Sequence, residues 1–233
     1  MAFLIAFVGS EATGKSTILA EVDAWLRPVR PVLRIHVGKP PSTALTFVPH
    51  VLLPALRALF PRQRTLRVQR ESSEAAQQHD RSFPLLFGIR SVMLAYERKA
   101  LVRKAMRGDR DTIVLCDRYP SRSRGAPDGP QLATPDRRRT ARRALAWLEA
   151  RLYQGVPTPD LVFHLWAPLG VTLARNAARE KREPGSYVRF RHELSERFDF
   201  EPERVRRIDT DRDLNAVVEE IQEVIGGRLT IAD

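Results

Sequence analysis

The stretch that decides the fold is Gly9-Ser10-Glu11-Ala12-Thr13-Gly14-Lys15-Ser16, which fits the phosphate-binding pattern G-x-x-x-x-G-K-[ST]. It follows an apolar run, Phe3 to Val8, that reads as a buried strand, and it opens a stretch of helical spacing from Ser16 to Leu26, with Pro28 as a stop. A strand before the loop and a helix after it are the context in which the pattern binds a nucleoside triphosphate. Outside that context it is only a Gly-rich turn that carries a lysine.

The residue types follow from the chemistry. A loop that wraps a triphosphate turns several backbone N–H groups inward, and Gly9 and Gly14 supply the φ values and the close approach this needs. Ser10, Glu11, Ala12 and Thr13 complete the cradle. Lys15 would reach the β- and γ-phosphates as a point charge, Ser16 would place its hydroxyl on Mg²⁺, Thr17 would add a phosphate contact, and the new helix would aim its positive end at the anion. ATP and Mg²⁺ are therefore the expected cosubstrate and cofactor.

With 233 residues, 43% of them hydrophobic, the chain can bury one substantial core, and no Gly/Ser-rich linker or internal repeat divides it, so one domain is expected over 1–233. The single cysteine, Cys116, excludes an internal disulfide framework and is expected to be a buried thiol at the end of an apolar run. Met1 to Val8 has no basic n-region, and no apolar run approaches transmembrane length. A cytoplasmic protein without membrane insertion is the expectation. The net charge of +11 invites a nucleic-acid reading. However, only five of the 39 basic residues are lysine, and many of the arginines lie with other charged residues on helical stretches such as Tyr96 to Arg110, which read as solvated faces. Aromatic residues, at 7%, offer few stacking platforms. Nucleic acid is thus an unfavoured partner, and a homodimer is left open.

Further strands are expected at Val32 to Val37, Thr112 to Cys116, Leu161 to Leu165 and Arg204 to Ile208. Helices are expected from Ser82 to about Arg107, from Thr134 to about Tyr153, from Pro168 to about Arg182 and from Asp211 to Ile225. This alternation predicts an α/β fold, a five-stranded parallel sheet with helices on both faces. The polar segment Arg62 to Asp80 reads as a solvated helix or an arm. The loop Ser121 to Pro130 follows the third strand at the sheet edge where ligands bind in open parallel sheets.

The same edge receives Asp117-Arg118-Tyr119. With a P-loop beside it, Asp117 can hold the Mg²⁺ shell and Arg118 can neutralise transferred or acceptor phosphate. A second cationic cluster, Arg175, Arg179, Lys181 and Arg182, places positions 175, 179 and 182 on one helical face and runs into the turn Glu183-Pro184-Gly185-Ser186. It reads as a mobile lid, about 175–190, that brings arginines onto the transferred phosphoryl group.

Taken in order, these residues resemble the thymidylate kinases and related nucleoside monophosphate kinases over nearly the whole chain. The P-loop is similar, down to the acidic Glu11, which in that family lies near the acceptor sugar. Asp117-Arg118-Tyr119 matches an Asp-Arg-aromatic motif. Leu85-Leu86-Phe87-Gly88-Ile89-Arg90 is similar to a helix whose Phe stacks on the acceptor base and whose Arg binds it, Leu173-Ala174-Arg175 to the start of the lid, and Ile208-Asp209-Thr210 to a loop on the adenine of ATP. The departures lie on the acceptor side. Gly38-Lys39-Pro40-Pro41-Ser42-Thr43 stands where the family has an Arg-Glu-Pro-Gly-Gly-Thr type loop, Pro120 to Gly125 replaces the usual continuation of the Asp-Arg motif, and Arg90 falls three residues after Phe87 rather than four.

The resemblance implies transfer of the γ-phosphoryl group of ATP to a small acceptor, a nucleoside monophosphate such as dTMP, with Lys39, Arg118, Glu11, Phe87 and Arg90 on the acceptor. Two alternatives stay open: a kinase of a nucleoside, sugar or lipid-linked glycan hydroxyl, and a nucleotide-driven switch or nucleic-acid-associated NTPase.

Overall fold

The computed structural model describes residues 2–38, 40–41, 85–124, 126–133, 140–180 and 182–232. Lys39, the 62–81 segment and Thr134-Pro135 lie outside the described residues.

Strand β1 (Phe3–Gly9) sits at the centre of the molecule because it has no polar side chain to keep wet; Leu4, Ile5, Ala6 and Phe7 are all fully buried. A strand buried on both faces needs helices on both, which is the requirement of a parallel sheet. Its alternate residues divide between two cores. Ile5 and Phe7 pack with Ile18, Leu19, Val22 and Leu26 of α1 (Lys15–Leu26) and with Val217, Ile221 and Ile225 of the last helix. Leu4, Ala6 and Val8 pack on the opposite face with Val102, Ala105 and Tyr119.

The remaining elements are β2 (Val32–His36), α2 (Leu85–Ala105), β3 (Ile113–Asp117), α3 (Thr140–Gln154), β4 (Leu161–Trp166), α4 (Leu169–Ala177), α5 (Gly185–Ser195), a 3₁₀ turn (Pro202–Arg204), β5 (Val205–Asp209) and α6 (Leu214–Ala232). All strand pairs are parallel, in the order β2-β3-β1-β4-β5. The chain leaves β1 toward one side for β2 and β3, then crosses to the other for β4 and β5, so the order reverses beside β1. That reversal opens a crevice at the carboxyl ends of β1 and β3, where Gly9 and Asp117 end their strands.

The five expected strands form within a residue or two of the places assigned. The helix expected to run to about Arg182 stops at Ala177, and Gly185 opens a helix instead of a loose turn. The reason is local. Asn176 brackets the backbone of Glu183, donating from Nδ2 to its carbonyl at 2.9 Å and accepting its N–H at 3.2 Å, and Pro184 then stands where a helix can start. The charged stretch read as a solvated face is also corrected: Glu97 and Arg98 are both 2% exposed, because α2 turns this side inward against the loop after β2. Cys116 is buried, with its thiol held well above the ordinary range by burial and by Asp117. Among the described residues no helix is long and apolar enough to cross a membrane.

His164 of β4 is 9% exposed and edge-on to Phe198 at 5.4 Å, and its Nε2 has no hydrogen-bond partner among the described residues. Burial holds its pKa down to about 4, with Arg207 and Lys15 acting in the same direction and Glu196 against. The unfolded chain takes up this proton near 6.5, so the stabilisation is complete above about 6.5 and is lost as pH falls toward 4. The expected loss between pH 7 and pH 4 is about 3 kcal/mol from this residue. Denaturant unfolding at the two pH values should show that difference between the wild type and His164→Gln; equal losses in both would remove His164 as the cause.

Candidate active site

The P-loop takes its shape from two left-handed glycines, Gly9 at φ 147° and Gly14 at φ 83°, with Ala12 also at positive φ. Gly14 caps α1 without a side chain, so no side chain competes for the first-turn N–H groups that face an incoming anion. Lys15 is 7% exposed and folds back into the loop, donating from Nζ to the carbonyls of Gly9 (3.2 Å) and Ser10 and to Thr13 Oγ1 (3.3 Å). Burial pushes its pKa down to about 8, helped by Arg118 and Arg191 and opposed by Glu11 and Asp117.

Above the loop lies a cavity of about 340 Å³, lined by Glu11 to Ser16 and, from the far side, by His36, Asp117, Arg118, Arg179, Glu183 and Tyr187. Strand register places Asp117 opposite Phe7, and the chain then turns at Arg118, whose φ of 63° swings its side chain over Gly38. A Cβ on Gly38 would meet Arg118 Cδ at 2.5 Å, so this glycine clears the path of the guanidinium. Arg118 Nη2 donates to both oxygens of Glu11, at 2.8 and 2.7 Å. Burial raises the Glu11 pKa, yet Arg118, Lys15 and Arg191 together hold it below the ordinary carboxylate range. Asp117 is lowered in the same way: His36, whose Nδ1 lies 3.4 Å from Oδ2, outweighs burial together with Lys15 and Arg118.

A second cavity, of about 290 Å³, adjoins the first through Ala12, Thr13, Gly14 and Arg179 and is lined further by Thr17, Ile18, Arg175, Thr210 and Arg212. Arg175 donates to the Thr210 carbonyl at 2.8 Å and to its hydroxyl at 3.4 Å, and Thr210 in turn bonds the Trp166 carbonyl through N–H and Oγ1.

The structure therefore gathers Glu11, Lys15, Ser16, Asp117, Arg118 and Arg179 around one cavity and Thr17, Arg175 and Thr210 around the next. Asp209 is exposed and accepts the Asp211 N–H. Arg182 is exposed, and its Nε reaches the Arg179 carbonyl at 3.4 Å. Phe87 packs against Leu132 and Ala146 and lines neither cavity, and Arg90 is exposed on the same helix.

Four contributors escaped the sequence reading: His36, Tyr187, and the pair Asp128 and Arg191. His36 ends β2 at the sheet edge, a position that could have flagged it. Val188, Arg191 and Ser195 recur at helical spacing and are buried, which marks an inward face on α5.

No protein-family profile matches the chain, and no curated protein matches it. Among solved structures, a deoxyadenosine kinase from M. mycoides with bound dATP matches with a TM-score of 0.53 and 14% identity, over 96% of this chain and 100% of that one. At that identity the likeness is one of fold, an α/β architecture with a five-stranded, all-parallel sheet.

Proposed function

We propose that this chain, one P-loop domain over 1–233, transfers the γ-phosphoryl group of ATP to the phosphate of a small nucleotide-like acceptor, a nucleoside monophosphate such as dTMP. One observation carries the reading. Lys15, Arg118 and Arg179 converge on the first cavity, while the Glu11 and Asp117 carboxylates beside them are both held below the ordinary range. A phosphate acceptor arrives ionised and needs cations, which these side chains supply; a hydroxyl acceptor benefits from a carboxylate within hydrogen-bond reach of its proton, and both Glu11 oxygens are already engaged by Arg118.

In this reading the γ-phosphate would lie at Lys15 and the α1 terminus, with the donor nucleoside toward Thr17, Arg175, Asp209 and Thr210. Binding of dATP by the solved neighbour supports a nucleotide in this fold. The acceptor phosphate would meet Arg118, with Lys39 after β2. Phe87 and Arg90 stay candidates for the acceptor base, and Arg175, Arg179 and Arg182 for the lid about 175–190, of which Arg179 borders both cavities.

Ser16 and Asp117 fit Mg²⁺: Asp117 Oδ1 is buried without a hydrogen-bond partner among the described residues, and Ser16 is exposed on the cavity. No group of three or more His, Cys, Asp or Glu among the described residues could hold an ion alone, which suits a cation shared with the phosphates of a nucleotide. Bound Mg²⁺ neutralises charge on the phosphoryl oxygens.

The test is ATP consumption against a panel of nucleoside monophosphates, nucleosides and sugars. Turnover is expected with a monophosphate, and Arg118→Ala should raise the acceptor KM at least about tenfold, a loss of roughly 1.4 kcal/mol, with the ATP KM within about twofold. The hydroxyl-kinase reading draws on the solved neighbour, a deoxyadenosine kinase, and on the unpartnered Asp117 oxygen. It replaces ours if monophosphates are inert and Asp117→Asn abolishes transfer to an unphosphorylated acceptor. ATP hydrolysis indifferent to every acceptor would leave the NTPase switch.

A further inference from the structure

Behind the cavity runs a row of alternating charge that links five residues from separate parts of the chain: Arg98, Asp128, Arg191, Glu11 and Arg118. The outer members are fully engaged. Arg98 donates to the carbonyls of Val37 (3.1 Å) and Asp128 (2.7 Å), to Tyr153 Oη (2.7 Å) and to Asp128 Oδ1 (2.9 Å), and Asp128 Oδ2 accepts from Arg191 Nη2 at 3.1 Å. Asp128 stands at φ 60°, in the left-handed region that Asp enters more readily than most residues with a side chain.

The inner members are engaged on one side only. Both Glu11 oxygens rest on a single nitrogen of Arg118, while Arg191 Nε stands 3.6 Å from Glu11 Oε1, too far for a hydrogen bond, and is a buried donor with no such partner among the described residues. The two arginines also differ in freedom: the Arg118 side chain is 25% exposed and opens on the cavity, whereas that of Arg191 is 10% exposed and tied at its other end to Asp128. When Arg118 turns to an anion in the cavity, the buried Glu11 loses its hydrogen-bonded partner, and an abandoned buried charge opposes the movement.

We propose that Glu11 is a shared counter-ion passed from Arg118 to Arg191. As Arg118 turns to the anionic group of the acceptor, Arg191 Nε closes onto Glu11, which makes Arg191 a positioning residue for acceptor binding. This rests on the reading above in which Arg118 meets the acceptor's phosphate. The Asp128–Arg98 anchor keeps Arg191 from following Arg118 into the cavity.

Two measurements on the full chain test this. The first needs no acceptor: thermal unfolding of Arg118→Met, Arg191→Met and the double variant. If either arginine alone can neutralise Glu11, each single change is mild and the double variant melts at least about 6 °C below the sum of the two, an excess that Glu11→Gln removes. Midpoints that add within about 2 °C overturn the exchange.

The second is kinetic. Arg191→Met should raise the monophosphate KM at least tenfold with kcat and the ATP KM within about twofold, and the conservative Arg191→Lys, which keeps a cation facing Glu11, should rescue most of that loss. In an enzyme active on monophosphates, an unchanged acceptor KM, or no rescue, overturns the positioning role. A wild type inert to every monophosphate sinks the acceptor assignment instead, and the unfolding cycle still decides the exchange.

Discussion

Lys15→Met is expected to lower kcat for phosphoryl transfer by at least about 10³ while the protein stays folded. The fall follows from what the ammonium does: it is the only cation inside the loop among the described residues, and charge building on a transferring phosphoryl group meets no other side-chain cation within the loop. Survival of the fold follows from what the ammonium costs. Burial has pulled Lys15 down to a pKa of about 8, so the folded state below that pH carries a charge it would be easier to lack, and methionine lacks it. The measurement is a pair, turnover at saturating ATP and a melting curve. A midpoint within a few degrees of wild type with no turnover is the expected pattern, and near-normal turnover would remove the P-loop from the mechanism.

Gly9→Ala is expected to destabilise the protein by about 3 kcal/mol or more and to remove transfer with it. Two independent objections meet at this residue. Its φ of 147° is one that side chains rarely adopt, and a Cβ built there would lie 2.3 Å from the carbonyl oxygen of Leu165. That oxygen belongs to β4, which pairs with β1 through Gly9 and Leu165, so relief would require two central strands to part. Gly14→Ala is the control: it has the strain of φ 83° but its nearest neighbour is Ile18 Cδ1 at 3.7 Å, and it should cost about 1 to 2 kcal/mol. Denaturant unfolding of both variants checks the ranking. Equal losses, or a Gly9 variant as stable as wild type, would mean that the strand contact is not as close as described.

The part of this protein that could be read from its sequence is the part built from local rules. Phe3 to Val8, the glycines that follow and the helix behind them announce themselves within about 25 residues, and Thr112 to Cys116 delivers Asp117 and Arg118 to the same edge because the apolar run has one plausible direction. The ionic wall behind the cavity could not be read in this way. Arg98 sits among Glu97, Lys99 and Arg103 in a stretch that composition assigns to solvent, and its partners lie 30 to 61 residues away. Asp128 is one polar residue in a loop of many, and Arg191 follows a Pro-Gly pair that reads as a turn until Asn176 is seen to hold Glu183. Phe87 shows where sequence patterning stops: its neighbours Leu85, Leu86 and Ile89 leave open whether an aromatic ring meets a ligand or a helix, and the described contacts place it, partly buried, against Leu132 and Ala146.

Cys116 gives the molecule a reporter of its own opening. The only sulfhydryl in the sequence lies fully buried on β3, between β1 and β2, and its thiolate form is disfavoured by burial. A thiol reagent can reach it only when the centre of the sheet separates, so the labelling rate in native buffer measures that rare event without any engineered probe. Because ligands held between the ends of β1 and β3 resist the same separation, slowed labelling would rank candidate nucleotides and acceptors by binding before any turnover is observed.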